Sequence, residues 1–226
     1  MRFSTLLMDA DDTLFDFPAC EYNALEKTLV SSGLKFNERI YKCFSDINSG
    51  LWRQFEKNQI TRSELRVRRF SELLKQCFSS SIPADALADT YVEQLSMQAI
   101  LFDESEEAVR ELSGFYDIYI ITNGLKAVQR GRFSLTTLQQ YIKGIFISDE
   151  MGVQKPSKEY FASVTESIEE KDAEKILVVG DSLTSDMQGG RNAGLHTCLF
   201  DPKDRVTMPN TLCDFKIHSL RELLSL

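Results

Sequence analysis

Asp9-Ala10-Asp11-Asp12-Thr13 sets three carboxylates and a hydroxyl directly after a short apolar run. Thr122-Asn123-Gly124 and Gly180-Asp181-Ser182, the latter with Asp186 close behind, end two further apolar runs, and Lys155-Pro156 follows another by a short loop. Carboxylates are hard oxygen donors that suit a divalent cation, and a lysine suits an anion; a phosphate-handling site needs both. Each stretch alone has a plainer reading. Asp is common in surface turns, Asn-Gly is an ordinary turn, and a lone lysine is usually solvated. Their shared position, each after a strand-like run, argues for one site, because ligands of open α/β sheets bind outside the carboxyl ends of the strands.

The elements that must position them follow from periodicity. Residues 3–8 read as a short buried strand ending at Asp9, and strand-like runs recur at 118–121, 145–147, 176–179 and 197–200. Helical patterns separate these runs. Asp103 is expected to cap a helix with Glu106 three residues on, and a helix over Leu135–Tyr141 is expected to close at Gly144. Continuous apolar strands alternating with helices predict a parallel sheet covered on both faces. Between the first strand and the rest, Glu21 to about Gln98 is helical, with Leu25, Leu29, Leu65, Phe70, Leu73 and Leu74 at helical spacing and breaks near 31–33, 48–50 and 79–83. The expected fold class is α/β. A Rossmann-like parallel-sheet core of 1–14 and 103–226 carries an inserted helical domain of 15–98, with 99–102 as linker.

The set Asp9-x-Asp11-x-Thr13, Thr122-Asn123, Lys155 and Gly180-Asp181-x-x-x-x-Asp186 resembles the four motifs of haloacid dehalogenase (HAD)-like hydrolases, and the insertion is similar to their helical type-1 cap. The resemblance spans essentially the whole chain. It leans to the pyrimidine 5′-nucleotidase branch through residues 9–15, Leu51-Trp52, 121–124 and 148–156. Asp12 stands where many relatives have Gly, and an acidic residue there is also seen in the nucleotidase-like branch. The resemblance implies a Mg²⁺-dependent phosphatase. Asp9 would form an aspartyl-phosphate, and Asp11 would act as general acid and then base. Thr122, Asn123 and Lys155 would hold the phosphoryl group. Asp9, Asp181 and the backbone carbonyl of Asp11 would hold the metal, with Asp186 a direct ligand or a holder of metal-bound water. Dehalogenases of the same fold lack a carboxylate at the place of Asp11, so Asp11 argues for phosphoryl transfer. The expected substrate is a small phosphate monoester, first a nucleoside 5′-monophosphate. Phosphosugar hydrolysis or a β-phosphoglucomutase-like transfer is the runner-up, and a non-catalytic binding module a third reading. Phe17 and Trp52 are core or base-stacking candidates. Arg66, Arg68 and Arg69 read as a solvated helix face, with Arg69 the candidate substrate contact.

Bulk properties narrow the field. The net charge of −8 lies wholly outside 15–98, which is neutral; a nucleic-acid polymer, which needs a basic face, is not an expected partner. No apolar run approaches membrane-spanning length, and no signal-peptide pattern opens the chain. Five widely spaced cysteines without a C-x-x-C pair read as free thiols, and two histidines are too few for a histidine metal site. The expected setting is cytoplasmic, as a monomer or weak homodimer.

Overall fold

A computed structural model describes residues 2–79 and 81–226; Met1 and Ser80, within the stretches read as the N-terminus and as the 79–83 break, lie outside the described residues. The chain divides into two compact units, Met1–Phe17 with Ala99–Leu226, and Pro18–Gln98.

The first unit is built on β1 (Thr5–Met8), β2 (Asp117–Thr122), β3 (Gly144–Ile147), β4 (Ile176–Gly180), β5 (His196–Phe200) and β6 (Phe215–Ile217), in the order β3-β2-β1-β4-β5-β6. Every neighbouring pair is parallel. Alternate residues of a strand point to opposite faces, and the two faces build two cores. Leu6, Met8, Ile118, Ile120, Leu177 and Val179 lie in one. Leu7, Tyr119, Ile121, Ile176, Val178 and Leu199 lie in the other. The helix α5 (Ser105–Leu112) contributes Ala108, Val109 and Leu112 to the first core, and α6 (Lys126–Ser134) adds Phe133. After β3 the short α7 (Ser148–Met151) leads to α8 (Lys158–Ser167), which puts Tyr160, Phe161 and Val164 into the second. The strand order reverses beside β1, so the carboxyl ends of β1, β2 and β4 surround the topological switch point of a doubly wound sheet. The two segments that lead out of and back into this unit lie side by side. Asp16 N–H donates to Ile100 O at 3.0 Å, Phe102 N–H to Leu14 O at 3.0 Å, and Phe15 bridges Leu101.

The second unit is helical: α1 (Phe17–Ser31, of which all but the first residue belongs here), α2 (Glu38–Glu56), α3 (Arg62–Cys77) and α4 (Ala84–Ser96). The α2 helix starts on Asn37, whose side chain accepts from Ile40 N–H, and α3 on a reciprocal Thr61–Glu64 capping box. Phe44, Phe70 and Tyr91 form its aromatic centre, with ring centroids 5.3–5.4 Å apart.

Several local expectations need correction. The break at 48–50 is absent: α2 runs through it, because Asn48 is buried and donates to the Glu21 carboxylate at 2.7 Å, so tertiary packing overrides the weak helix propensity of Asn-Ser-Gly. Asp103 does not cap α5. Glu104 holds that position without a side-chain cap bond, and its carboxylate accepts instead from Ser219 Oγ (2.7 Å) and Leu220 N–H (3.1 Å). No α-helix covers 135–141: α6 ends at Ser134, a 3₁₀ turn spans Thr137–Gln140, and Gly144 opens β3 rather than closing a helix. The sequence also did not reveal β6. Among the described residues no helix is long and apolar enough to cross a membrane, and all five cysteines are free.

Candidate active site

Asp9 leaves β1 with its N–H donated to Val179 O of β4 at 2.8 Å, which fixes its backbone at the switch point. The chain then turns sharply. Leu14 and Phe15 N–H both donate to Ala10 O at 2.9 Å, and Asp12 takes φ = 61°. That left-handed conformation favours glycine, and Asp is among the few other residues that adopt it routinely. The turn thus explains both why glycine suits this place and why Asp12 is accepted.

Lys155 is the hub. It is 2% exposed, and its ammonium donates to Asp9 Oδ1 (2.5 Å), Asp186 Oδ1 (2.6 Å) and Ile121 O (3.2 Å), which uses all three of its protons. Asn123 sets its backbone from both sides: Asn123 Nδ2 donates to Lys155 O (3.0 Å) and Lys155 N–H donates to Asn123 Oδ1 (2.9 Å). Thr122 is buried. Its Oγ1 accepts from Gly124 N–H, and its own N–H donates to Tyr160 OH, which donates on to Phe146 O. Tyr160 is therefore a support that joins β2, β3 and α8, and burial holds its phenol above the ordinary range.

Asp186 sits in a single π-turn, Leu183–Met187, and Ser182 N–H donates to its Oδ2 at 3.2 Å; such π-turns recur at functional positions. Gly180 makes room for it. A β-carbon there would stand 2.3 Å from Asp186 Oδ2 and 2.5 Å from its Cγ. Gly180→Ala is expected to destabilise the protein by about 1–3 kcal/mol through this clash, whereas Gly50→Ala, whose methyl would meet only the tip of Arg53 at 3.9 Å, is expected to be neutral or stabilising. Urea denaturation of the two variants measures both signs.

The carboxylates of Asp9, Asp181 and Asp186 offer oxygen atoms within 4.8 Å of one another. Burial pushes the Asp9 carboxyl up to about 8; Lys155 opposes this, and Asp186 and Asp11 reinforce it. Burial, then Asp9 and Asp186, also push Asp181 well above the usual carboxylate range. Burial works against the charge of Lys155, but Asp186 and Asp9 outweigh it and hold the ammonium above its ordinary value. One lysine is thus shared among more negative charge than it can neutralise. An all-oxygen donor set of this span, carrying surplus negative charge, fits a small hard divalent cation such as Mg²⁺, whose opposite ligands lie about 4.2 Å apart.

The structure brings Asp9, Asp11, Thr122, Asn123, Lys155, Asp181 and Asp186 into one unit at the ends of β1, β2 and β4 and the loop after β3. Phe17 belongs to the same unit, its ring 6.0 Å from the Arg132 guanidinium. Trp52 and Arg69 lie in the helical unit. Trp52 packs edge-on to Phe55 at 5.5 Å, beside Leu51, Ile60 and Leu65. The expectation of a solvated Arg69 is wrong. It is 3% exposed, lies over the Tyr91 ring at 4.5 Å, and its Nε and Nη2 have no hydrogen-bond partner among the described residues. Arg66 and Arg68 do lie partly open to solvent, paired with Asp89 and Glu72. Three residues at this site escaped the sequence reading: Tyr160, and Gln129 and Arg132 of α6, both fully buried and both bonded to the Asp11 carboxylate.

This fold and this constellation define a hydrolase of the HAD type, and comparison with known proteins agrees. Residues 3–194 match the haloacid dehalogenase-like hydrolase family, and the chain belongs to that family. It is similar to the HAD-hydrolase YfnB of Bacillus subtilis (strain 168), 37% identical over 222 residues, covering 98% of this chain and 94% of that protein. The crystal structure of YfnB bound to magnesium superposes with a TM-score of 0.93 over 100% of this chain and 98% of that one. It is also similar to the pyrimidine 5′-nucleotidase PynA of Streptococcus pneumoniae, 32% identical over 225 residues, with 99% of this chain and 94% of PynA covered. The pyrimidine 5′-nucleotidase YjjG of Escherichia coli (strain K12) is 28% identical over 223 residues, with 99% and 97% covered.

Proposed function

We propose that this chain is a Mg²⁺-dependent phosphoric monoester hydrolase that acts on nucleoside 5′-monophosphates, pyrimidine nucleotides first. The observation that carries the chemistry is the buried carboxylate group around Lys155, with a second, partly exposed carboxylate, Asp11, two residues from Asp9. The substrate class rests on the likeness to PynA and YjjG.

Asp9, Asp181 and Asp186, with the Asp11 carbonyl, would hold the cation. When bound, Mg²⁺ offsets the repulsion between a carboxylate and a phosphate dianion, about 8 kcal/mol at 4 Å and an effective dielectric near 20. Asp9 Oδ attacks phosphorus, the P–O bond to the leaving group breaks, and Asp11 delivers a proton to the leaving oxygen. Asp11 then takes a proton from water as that water attacks phosphorus, the bond to Asp9 breaks, and inorganic phosphate departs. The Thr122 hydroxyl accepts from Gly124 N–H, which leaves its own proton for a phosphoryl oxygen, and the Asn123 N–H serves the same oxygens; such positioned donors account for most of phosphoryl-transfer catalysis. Substrate choice falls to the helical insertion, because the core residues address only the phosphate. Its free cysteines fit a reducing, cytoplasmic setting.

The test is kcat/KM across a panel. UMP, CMP and dTMP are expected to exceed hexose and triose phosphates by at least about 10-fold, roughly 1.4 kcal/mol of discrimination. If Trp52 stacks on the base, Trp52→Ala lowers nucleotide kcat/KM by about 5- to 150-fold, the equivalent of 1–3 kcal/mol. An unchanged value makes Trp52 a packing residue. Preference for sugar phosphates would overturn the nucleotidase reading.

A further inference from the structure

Arg132 is the largest side chain that is completely buried in this protein, and it is charged. It lies on α6 three residues after Gln129, and that spacing puts both on one helix face. Both reach the same carboxylate. Arg132 Nη1 pairs with Asp11 Oδ1, and Gln129 Nε2 donates to Asp11 Oδ2 at 2.6 Å. The two donors take the two oxygens separately, so they fix the rotation of the carboxylate about its own axis as well as its place. The donors are themselves fixed. The Arg132 guanidinium lies over the Phe15 ring at 4.0 Å, and Phe15 is held edge-on by Phe133 at 5.1 Å. Gln129 fills the space above Gly124, where a β-carbon would stand 2.3 Å from Gln129 Nε2. Removing an arginine from water is costly, and a buried ion pair is weak evidence for a stability role. Here the partner is not buried with it: the Asp11 side chain is 26% exposed, so a rigid, dry support presents a carboxylate with an open edge.

We propose that Arg132 and Gln129 are positioning residues that hold Asp11 in register for proton transfer in both half-reactions. The proposal rests on the reading of Asp11 as the proton carrier. Proton transfer needs heavy atoms within about 2.6–3.2 Å, and a carboxylate free to rotate on its short stem spends little time there. The attack by Asp9 does not depend on this register, because Asp9 is held by Lys155 and by the backbone of β4.

Rapid-quench kinetics on the full-length protein with Mg²⁺ separates the steps, using UMP (a poor alkoxide leaving group) and 4-nitrophenyl phosphate (a leaving group that needs little protonation). Asp11→Asn supplies the benchmark. Gln129→Leu and Arg132→Met are expected to slow phosphoenzyme formation from UMP by about 10- to 100-fold, less than the 10²- to 10⁴-fold of losing the carrier itself. Formation from 4-nitrophenyl phosphate should change less than about 3-fold, KM for UMP likewise, and phosphoenzyme should accumulate because its hydrolysis also slows. Arg132→Lys, which keeps the charge but not the fork, should recover part of the loss. If Arg132→Met does not fold, Gln129→Leu, which removes no charge, decides the matter. Equal loss on the two substrates, or a rise in KM with kcat unchanged, overturns the positioning role. A wild-type protein that forms no phosphoenzyme from either substrate fails the parent reading instead, and the two failures are thereby distinct.

Discussion

Asp9→Asn is expected to lower turnover of any phosphate ester by about 10⁴-fold or more, some 5.5 kcal/mol of barrier, and to leave no trappable phosphoenzyme, while the protein stays folded. The two halves of this expectation have one origin. Asparagine has the shape of aspartate, so the Asp9 N–H bond to Val179 O survives, but the amide is not a nucleophile. Stability should not fall, and without divalent cation it should rise near neutral pH. The sign follows from Asp9 itself, whose carboxyl rises from 3.8 to about 8, chiefly through burial. Between those values the unfolded chain is ionised there, while the folded protein must take up a proton or carry a disfavoured charge, so folding loses stability across that window. A neutral amide removes the loss. Acid-quenched phosphoenzyme trapping and thermal denaturation at pH 7 in chelator measure the two halves. Residual turnover within tenfold of wild type would remove Asp9 from the role of nucleophile. A melting temperature far below wild type would show instead that the carboxylate is part of the support for Lys155.

What could be read from the sequence, and what could not, divides by the range of the interaction. Strand ends and the residues that follow them are local, so the stretches 9–13, 122–124 and 180–186 announce themselves. The doubly wound sheet follows from the alternation of apolar runs with helical ones. Gln129 and Arg132 act on a residue 118 and 121 positions away. The segment Lys126–Ser134 is a short helix that carries three basic residues, and nothing local in it distinguishes a buried arginine from a solvated one. Arg69 misleads in the same way: its burial is set by Asn48 and Tyr91 on other helices. The false break at Asn48-Ser49-Gly50 reverses the error. Local propensity is real there, but the Glu21–Asn48 hydrogen bond inside the helical unit outweighs it. The strand β6 is only Phe215–Ile217, paired to β5 alone, too short for a period of two to show.

Removal of divalent cation should abolish turnover, and its return should stabilise the protein as well as activate it. The charge count requires both. Asp9, Asp181 and Asp186 stand within 4.8 Å of one another with Lys155 as the ammonium among them, bonded to two of the three. At such distances each like-charge pair costs about 4 kcal/mol at an effective dielectric near 20, and an incoming phosphate dianion meets the surplus. A cation that binds only the folded site stabilises it by mass action, about 2.7 kcal/mol at a hundredfold excess over Kd. For a chain of 226 residues that is a rise in Tm of roughly 5–10 °C. Asp181→Asn should remove most of that rise, because a ligand and a charge are lost together, and should lower Mg²⁺-dependent turnover by at least about 10²-fold. Differential scanning fluorimetry against Mg²⁺ concentration reads the first effect, and turnover of UMP in chelator the second. A chelated enzyme at full activity with no shift in Tm would show that Lys155 alone satisfies the carboxylates, and the mechanism built on a bound cation would fall.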